Sequence, residues 1–594
     1  MKSDVTFLGT VRRVVGSKVL VEISYDIPSA SPIIQGRIYR LGQVGSLVRI
    51  PLGFLNLYGV ISMVGASEVN LPDKDNRLLE FSRGQRWMEI QLVGESYGKE
   101  KFQRGISIFP TLDDEVHMVT DDDLAVIYGT TNESAIVIGT HAASDSLPAS
   151  IDINKLVSRH VAIVGSTGSG KSNTVASILK SITNGLYPSS RIVVIDPHGE
   201  YGSAFGDKAK VFSINNEKNP LIIPYWALSI DELMWFFIGK KGVSEDIRDL
   251  HFRDKIFEMK VANISNLKAG QVTLEEITPD SPIPFDIKQL WYDFDRPERV
   301  TYEDNERTKE ALIEEGDPKA LKSAKFKPHN AYNKPPFKAQ VSISTLAYAN
   351  KILTKLKDHR YKFLLEIDQY TGKKNEKDLS DLIIDWIDHE YPITVFDLSG
   401  IPFEIIDLVV GVVTRIIFES MFWSRDLPGM GKQRPLLMVY EEAHSYIPRG
   451  GDAQFISGYA GRAVRRLFKE GRKYGIGAIV VSQRPAELDE TILSQSGTFI
   501  ALRLSNSDDQ GRIRATVPDS LAGLTDLLPA LRTGEALVLG EAVQIPCRIR
   551  LPLIEPRPKS EDPITSKCWK AQRMSNPLYD SVVTGWRCQR MPRS

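Results

Sequence analysis

Val161-Ala162-Ile163-Val164-Gly165-Ser166-Thr167-Gly168-Ser169-Gly170-Lys171-Ser172 decides the reading of this chain. Four apolar residues form a buried strand and the next eight form a complete phosphate-binding loop. Val175, Ile178, Leu179 and Ile182 then recur at helical spacing. Glycines let backbone N–H groups close around phosphate oxygens, and the new helix aims its positive end at the same anion. Lys171 can reach the β- and γ-phosphates, and the Ser172 hydroxyl can ligate Mg²⁺. The pattern predicts a nucleoside triphosphate site built from Gly165, Ser166, Thr167, Gly168, Ser169, Gly170, Lys171, Ser172 and Asn173, with ATP and Mg²⁺ as cofactors.

Outward from this stretch, strand, loop and helix alternate from Ile151, which indicates an α/β fold: a parallel sheet with crossover helices. Strands are predicted at 161–164, 191–195, 393–397, 435–440, 476–482, 498–504 and 535–539. The core is expected over 146–211 and 390–554. The rhythm stops between Phe212 and His389, where helical patterns such as Leu250–Met259 and Leu346–Leu356 mark an inserted helical subdomain, 212–389. Its polar stretch, Arg296–Lys338, carries Lys319, Lys322, Lys325, Lys327, Lys334 and Lys338, to be read as a solvated segment or a nucleic-acid contact. Residues 1–145 alternate apolar and polar positions (Val19, Val21, Ile23, Tyr25), with short apolar runs that include Tyr58–Val64 and Ile136–Ile138. They predict a small β-barrel or sandwich. A tail, 555–594, sets Trp569, Tyr579 and Trp586 among polar residues.

The bulk properties fit a soluble enzyme. The 594 residues are 42% hydrophobic and 25% charged, and the formal net charge of −1 means any polyanion contact must be local. Cys547, Cys568 and Cys588 show no metal-ligand spacing, which suits a reducing compartment. The first residues do not resemble a signal peptide. The most apolar segment, Ile405–Trp423, is interrupted by Asp407, Arg415 and Glu419, so it reads as an amphipathic helix rather than a membrane span. A cytoplasmic protein is expected.

Three further motifs carry chemistry. Leu436–Tyr440 is a buried strand that delivers Glu441-Glu442-Ala443-His444 to its C-terminal edge. Glu441 is assigned to the metal and Glu442 to the attacking water. The strand ending at Ile195 leads into Asp196-Pro197-His198-Gly199-Glu200-Tyr201, where Asp196 is a candidate metal support and Glu200 a more distant one. Ile479–Val481 ends in Ser482-Gln483-Arg484-Pro485, and Gln483 is placed to sense the γ-phosphate or the lytic water. Between Gly461 and Gly475, Arg462, Arg465, Arg466, Lys469, Arg472 and Lys473 make one basic helical stripe. A phosphate-loop site gains from an arginine supplied by a neighbour, and this stripe is a place for one. It competes there with a nucleic-acid channel lining and a plain solvated face.

Together, Arg159-His160, GSTGSGKS, DPHGEY, YEEAH, GRKYG and VSQRP, in that order, resemble the HerA family of hexameric ATPases within the FtsK–HerA group of DNA-pumping motors. The resemblance spans roughly residues 1–555. It implies a RecA-like core, an N-terminal barrel that caps a homohexameric ring, ATP at subunit interfaces and double-stranded DNA in the channel. It also implies that Arg159 contacts nucleotide in cis and that Arg472, or failing it Arg466, acts in trans. Family members work with partners, either a NurA-type nuclease or an antiphage effector such as a sirtuin-like NADase or nuclease. Two functions follow: a DNA-translocating motor, or an ATPase ring that scaffolds an effector without moving DNA. No membrane partner is expected.

Overall fold

The computed structural model describes the chain except for residues 1–5, 25–32, 35–36, 39–43, 67–85, 99, 129–132, 143, 241, 243, 268–271, 331, 333, 368, 373–375, 451–457, 517–521, 560–563, 571–577 and 589–594. Tyr25, the first residues and parts of the tail therefore lie outside the described residues.

Seven strands of the core run parallel, in the order 498–501, 161–164, 476–482, 436–440, 192–196, 393–397 and 209–213. A sheet covered on both faces needs apolar residues on both sides of each strand, which is why these strands read as unbroken apolar runs. The alternation is visible in the packing. Val161 and Ile163 meet Val175, Ile178 and Leu179 of the helix Lys171–Thr183 on one face. Ala162 and Val164 face the cluster that holds Leu408, Val412 and Leu467 on the other. Four antiparallel strands extend the sheet beyond 498–501: 535–540, 547–550, 135–141 and 144–152. The run Ile136–Ile138, expected in the N-terminal β-domain, thus belongs to the core sheet.

The N-terminal domain is a closed barrel of six strands. Phe7–Val15, Lys18–Ile23, Arg86–Tyr97, Leu55–Ala66, Leu47–Leu52 and Glu115–Met118 pair in sequence around the ring. Closure leaves no open edge. The interior is filled by residues such as Val11, Val21, Ile50, Leu57 and Ile90, all without solvent exposure. Arg104 ties barrel to core through the carbonyls of Gly540, Val543 and Gln544, at 2.7–2.9 Å.

The apolar segment forms the 21-residue helix Phe403–Trp423, and each of its interrupting charges has a partner. Asp407 accepts from the N–H groups of Tyr459 and Ala460, capping the helix Tyr459–Glu470. Arg415 binds Glu232 and the Ala227 carbonyl of the insert, both at 2.7 Å. Glu419 accepts from Arg466 at 2.6 Å. No described helix is long and apolar enough to cross a membrane.

The insert is helical (Ile247–Asn263, Ile287–Arg299, Leu346–Lys357) around buried Trp226, Trp291 and Trp386. Its polar stretch pairs into short antiparallel ribbons, Thr301–Tyr302 with Phe337–Lys338 and Leu312–Glu314 with Lys325–Phe326. There Glu314 holds Lys322 and Lys325, and Glu303 holds Lys309 and Lys327.

One seam locks the far end of the core strands. The strand Ile476–Ser482 starts hard against the helix Ile153–Ser158, so a Cβ on Gly477 would sit 1.7 Å from the Val157 carbonyl oxygen. Gly477→Ala is expected to destabilise the core by about 2 kcal/mol, as overpacking does. The measurement is the thermal midpoint, with Gly168→Ala, which faces open space, as the comparison for backbone strain alone.

Candidate active site

The phosphate loop has the local geometry its glycines require. Gly168 (φ 71°) and Gly170 (φ 105°) sit in the left-handed region, and Gly170 caps the helix Lys171–Thr183. A Cβ on Gly165 would lie 2.6 Å from Ser169 Oγ. Ser166 N–H is held by the Arg503 carbonyl at 2.8 Å, which fixes the loop to the neighbouring strand's end.

Parallel neighbours deliver the other candidates to the same edge. Lys171 is 8% exposed, and its Nζ donates to the Ser166 carbonyl at 3.3 Å. Burial lowers its pKa, while Glu442, Glu441 and Glu200 act against that shift, so three acids surround this cation. Thr167 Oγ1 donates to Gln483 Oε1 at 2.6 Å, which puts Gln483 on the loop itself. Ser172 Oγ donates to Glu200 Oε2 at 2.8 Å. Asn173 clasps the segment after the last core strand, donating to the Pro552 carbonyl and accepting from Ile554 N–H.

Glu441 is 2% exposed, and burial first, then the nearby Glu442 and Glu200, push its pKa well above the usual carboxylate range. Glu442 holds a left-handed conformation, φ 48°, that non-glycine residues rarely adopt, and such strain clusters at functional positions. Glu441 Oε2 and Ser169 Oγ are buried with no hydrogen-bond partner, and Glu442 Oε2 is buried against His444. Unsatisfied buried acceptors beside a lysine and a helix N-terminus are what a phosphate with its cation would satisfy. Among the described residues no three His, Cys, Asp or Glu side chains gather as a complete metal cage. Mg²⁺ keeps waters and phosphate oxygens and needs only one or two protein ligands. The residues present fit the pair.

Two residues differ in role from the expectation. Asp196 is fully buried and uses both carboxylate oxygens to accept backbone N–H groups of His198, Gly199 and Tyr201. Burial pushes its pKa up to about 6. It shapes the 197–201 turn, and Glu200, at the end of that turn, is the acid that meets Ser172. His444 has no role in the sequence reading, yet it belongs to the site. Its Nδ1 lies 3.3 Å from both Glu442 Oε2 and Ser482 Oγ, and burial lowers its pKa. The spacing of YEEAH, two residues past Glu442 at the same strand end, was the available signal.

The arginines lie elsewhere. Arg159 precedes the strand 161–164, whose far end enters the loop. At about 3.3 Å per residue the four-residue strand puts roughly 13 Å between its two ends. Arg159 lies before the start of this strand, at the end away from the loop, and its Nε faces Glu541 Oε2 at 3.3 Å. Arg472 precedes the strand Ile476–Ser482 in the same way and lines a cleft of about 1000 Å³ on this opposite sheet edge, with Arg191, His389 and Arg434. The basic stripe is also not continuous. The helix ends at Glu470, Arg472 and Lys473 lie in the following turn, and Arg465 turns inward to Asp489. Arg466 is on the exposed flank, paired with Glu419 and stacked 4.4 Å over Phe418.

On this geometry the comparisons converge. Residues 136–417 match the family described as "Helicase HerA, central domain". This chain carries an ATPase core that resembles the HerA central domain. It is 26% identical over 480 residues, 80% of each chain, to the DNA double-strand break repair helicase HerA of Sulfolobus acidocaldarius. The protein of the same name from Pyrococcus furiosus is 26% identical over 481 residues, 78% of this chain and 76% of that one. Among solved structures, VirB4 of Thermoanaerobacter pseudethanolicus resembles it with a TM-score of 0.45 at 14% identity, covering 72% of this chain and 98% of that one. The HerA match spans the two antiparallel strands 135–141 and 144–152, the phosphate loop, the insert and most of the long helix.

Proposed function

We propose that the chain assembles as a homohexameric ring that hydrolyses ATP with Mg²⁺ to move along, or unwind, double-stranded DNA. One observation carries this reading. The loop, lysine, acids and Gln483 share one sheet edge, while Arg159 and Arg472 stand on the other, where only a neighbouring subunit's nucleotide can meet them. A head-to-tail ring closes that arrangement. Both arginines are then trans groups, and Arg159 leaves the cis set.

Within one pocket, Lys171 and the loop N–H groups would hold the β- and γ-phosphates, and Ser172 with Glu441 and Glu200 would hold the cation. Mg²⁺ supplies charge neutralisation at the β- and γ-oxygens. Gln483, hydrogen-bonded to Thr167, orients water. Glu442 takes its proton, with His444 holding the carboxylate's direction. The neighbour's arginines meet the charge that develops on the γ-phosphoryl. Gln483→Ala is expected to lower turnover on the order of 100-fold with nucleotide binding retained, since it removes orientation and not affinity. Steady-state hydrolysis beside equilibrium binding of a non-hydrolysable analogue checks this.

The relatives named DNA double-strand break repair helicase support DNA as the track; a NurA-type nuclease or an antiphage effector as working partner is what the family resemblance implies. The test is native mass together with ATP turnover stimulated by duplex DNA, whose binding falls steeply with salt. Absence of stimulation in every assembly overturns the motor. A second reading, a ring that regulates an effector without moving DNA, is favoured by the insert's lysines. Lys322, Lys325 and Lys327 are already paired with Glu314 and Glu303. It predicts that partner activity follows ATP state while translocation is undetectable.

A further inference from the structure

His160 sits between the two arginines in a conformation that needs a cause. Its φ is 53°, in the left-handed region that a bulky side chain seldom enters. It is only 3% exposed. Nδ1 accepts the N–H of Ala478 at 3.1 Å. The ring packs 4.5 Å from the ring of Phe468, itself buried in the last turn of the basic helix. Phe468 precedes Arg472 by one helical turn, and Ala478 lies in the strand that follows it. The imidazole therefore touches both supports of the turn that carries Arg472.

The same residue fixes Arg159. The carbonyls of Arg159 and His160 both accept from Gly497 N–H, at 2.8 and 3.1 Å. A Cβ on Gly497 would lie 2.9 Å from the Arg159 carbonyl oxygen, so this approach requires glycine. The left-handed turn at His160 sends the imidazole inward and leaves Arg159 on the rim beside Glu541. Beyond His160 the strand 161–164 continues directly into the phosphate loop, flanked on both sides by parallel strands.

We propose that His160 is a positioning residue, a pin that sets Arg159 and Arg472 at one spacing and couples the pair through a single strand to the subunit's own phosphate loop. This rests on the trans-arginine reading of the proposed function. It makes the strand 161–164 a strut: one end holds the nucleotide a subunit binds, and the other presents the arginines it lends. Burial lowers the pKa of His160 to about 4, so the imidazole stays neutral and Nδ1 stays an acceptor at physiological pH. It acts as a fixed spacer.

The test uses full-length subunits mixed in pairs. His160→Ala is expected to lower turnover 10- to 100-fold, the order of loss for misplaced catalytic groups. Affinity for a non-hydrolysable ATP analogue should stay within about twofold, because the loop itself is intact. Mixing His160→Ala with Lys171→Ala subunits should restore activity, since the first supplies an intact loop and the second intact arginines. Mixing it with Arg472→Ala should not, since both lack the arginine side. If Lys171→Ala fails to restore the rate, His160 serves its own loop and the proposal falls. Unchanged turnover in His160→Ala overturns it too. Should His160→Ala not assemble, His160→Asn decides by the same mixing, because Asn tolerates the left-handed region and can accept from Ala478. Neutral Arg159→Ala and Arg472→Ala variants would remove the trans-arginine reading as well. Costly arginine variants beside a silent His160 would remove the pin alone.

Discussion

Glu442→Ala is expected to bind ATP and leave it uncleaved, with turnover down on the order of 10³-fold, the range for loss of a general base. Lys171→Ala should abolish turnover by another route, losing the nucleotide itself. The contrast follows from geometry. Lys171 is buried against the loop at Ser166, and its charge offsets three surrounding acids. Removing it leaves those acids facing the triphosphate with no compensating cation, so both binding and chemistry go. Glu442 follows the strand Leu436–Tyr440 in a strained left-handed conformation, with its carboxylate beside His444. Truncating it removes one acceptor and one negative charge, neither of which binds phosphate. Equilibrium binding of a fluorescent nucleotide and steady-state phosphate release separate the two variants. If Glu442→Ala cleaves ATP at the normal rate, the water-activating role passes to another acid of this edge, with Glu200 the next in reach of Ser172.

The parts of this site legible in the sequence are those where local pattern and tertiary position coincide. A strand buried on both faces has to be a contiguous apolar run, so Val161–Val164, Leu436–Tyr440 and Ile476–Ser482 announced themselves. The residues after them had to reach the ligand edge. The placement of Arg159 was less legible for the converse reason. Five residues lie between it and Gly165, which looks close on paper, but the strand 161–164 carries the chain from one end of the sheet to the other. The turn-shaping contacts of Asp196 were not legible because an acid at a strand end can turn back to its own loop, where three N–H groups hold it. Ile136–Ile138 alternates like any barrel strand, and only the pairing of 135–141 with 547–550, over 400 residues away in sequence, assigns it to the core. The polar insert segment carried no apolar period because cross-strand ion pairs stabilise its ribbons.

The second large effect belongs to the arginine edge. Arg472→Ala alone is expected to lower hydrolysis by three orders of magnitude or more, the scale on which arginine fingers act. Nucleotide binding should be nearly unchanged, since Arg472 lies across the sheet from its own loop. Mixed with Lys171→Ala subunits, themselves inactive, it should regain turnover. An interface works when the loop comes from the Arg472→Ala subunit and the arginine from its neighbour. Random one-to-one mixing in a head-to-tail ring makes about a quarter of the interfaces competent. Arg159→Ala should show the same rescue, because it shares that rim. Arg466→Ala should not need rescue, because its guanidinium is engaged by Glu419 and lies flat on Phe418 within its own subunit. A monomer that hydrolyses ATP at full rate, or mixed rings that never recover, would leave these arginines without a substrate to meet. Rescue of Arg472→Ala and Arg159→Ala, without rescue of Lys171→Ala paired with Glu442→Ala, would assign the two sides of the pocket to different subunits. Those last two lesions share the loop side, and no arrangement of subunits can bring an intact loop to an interface.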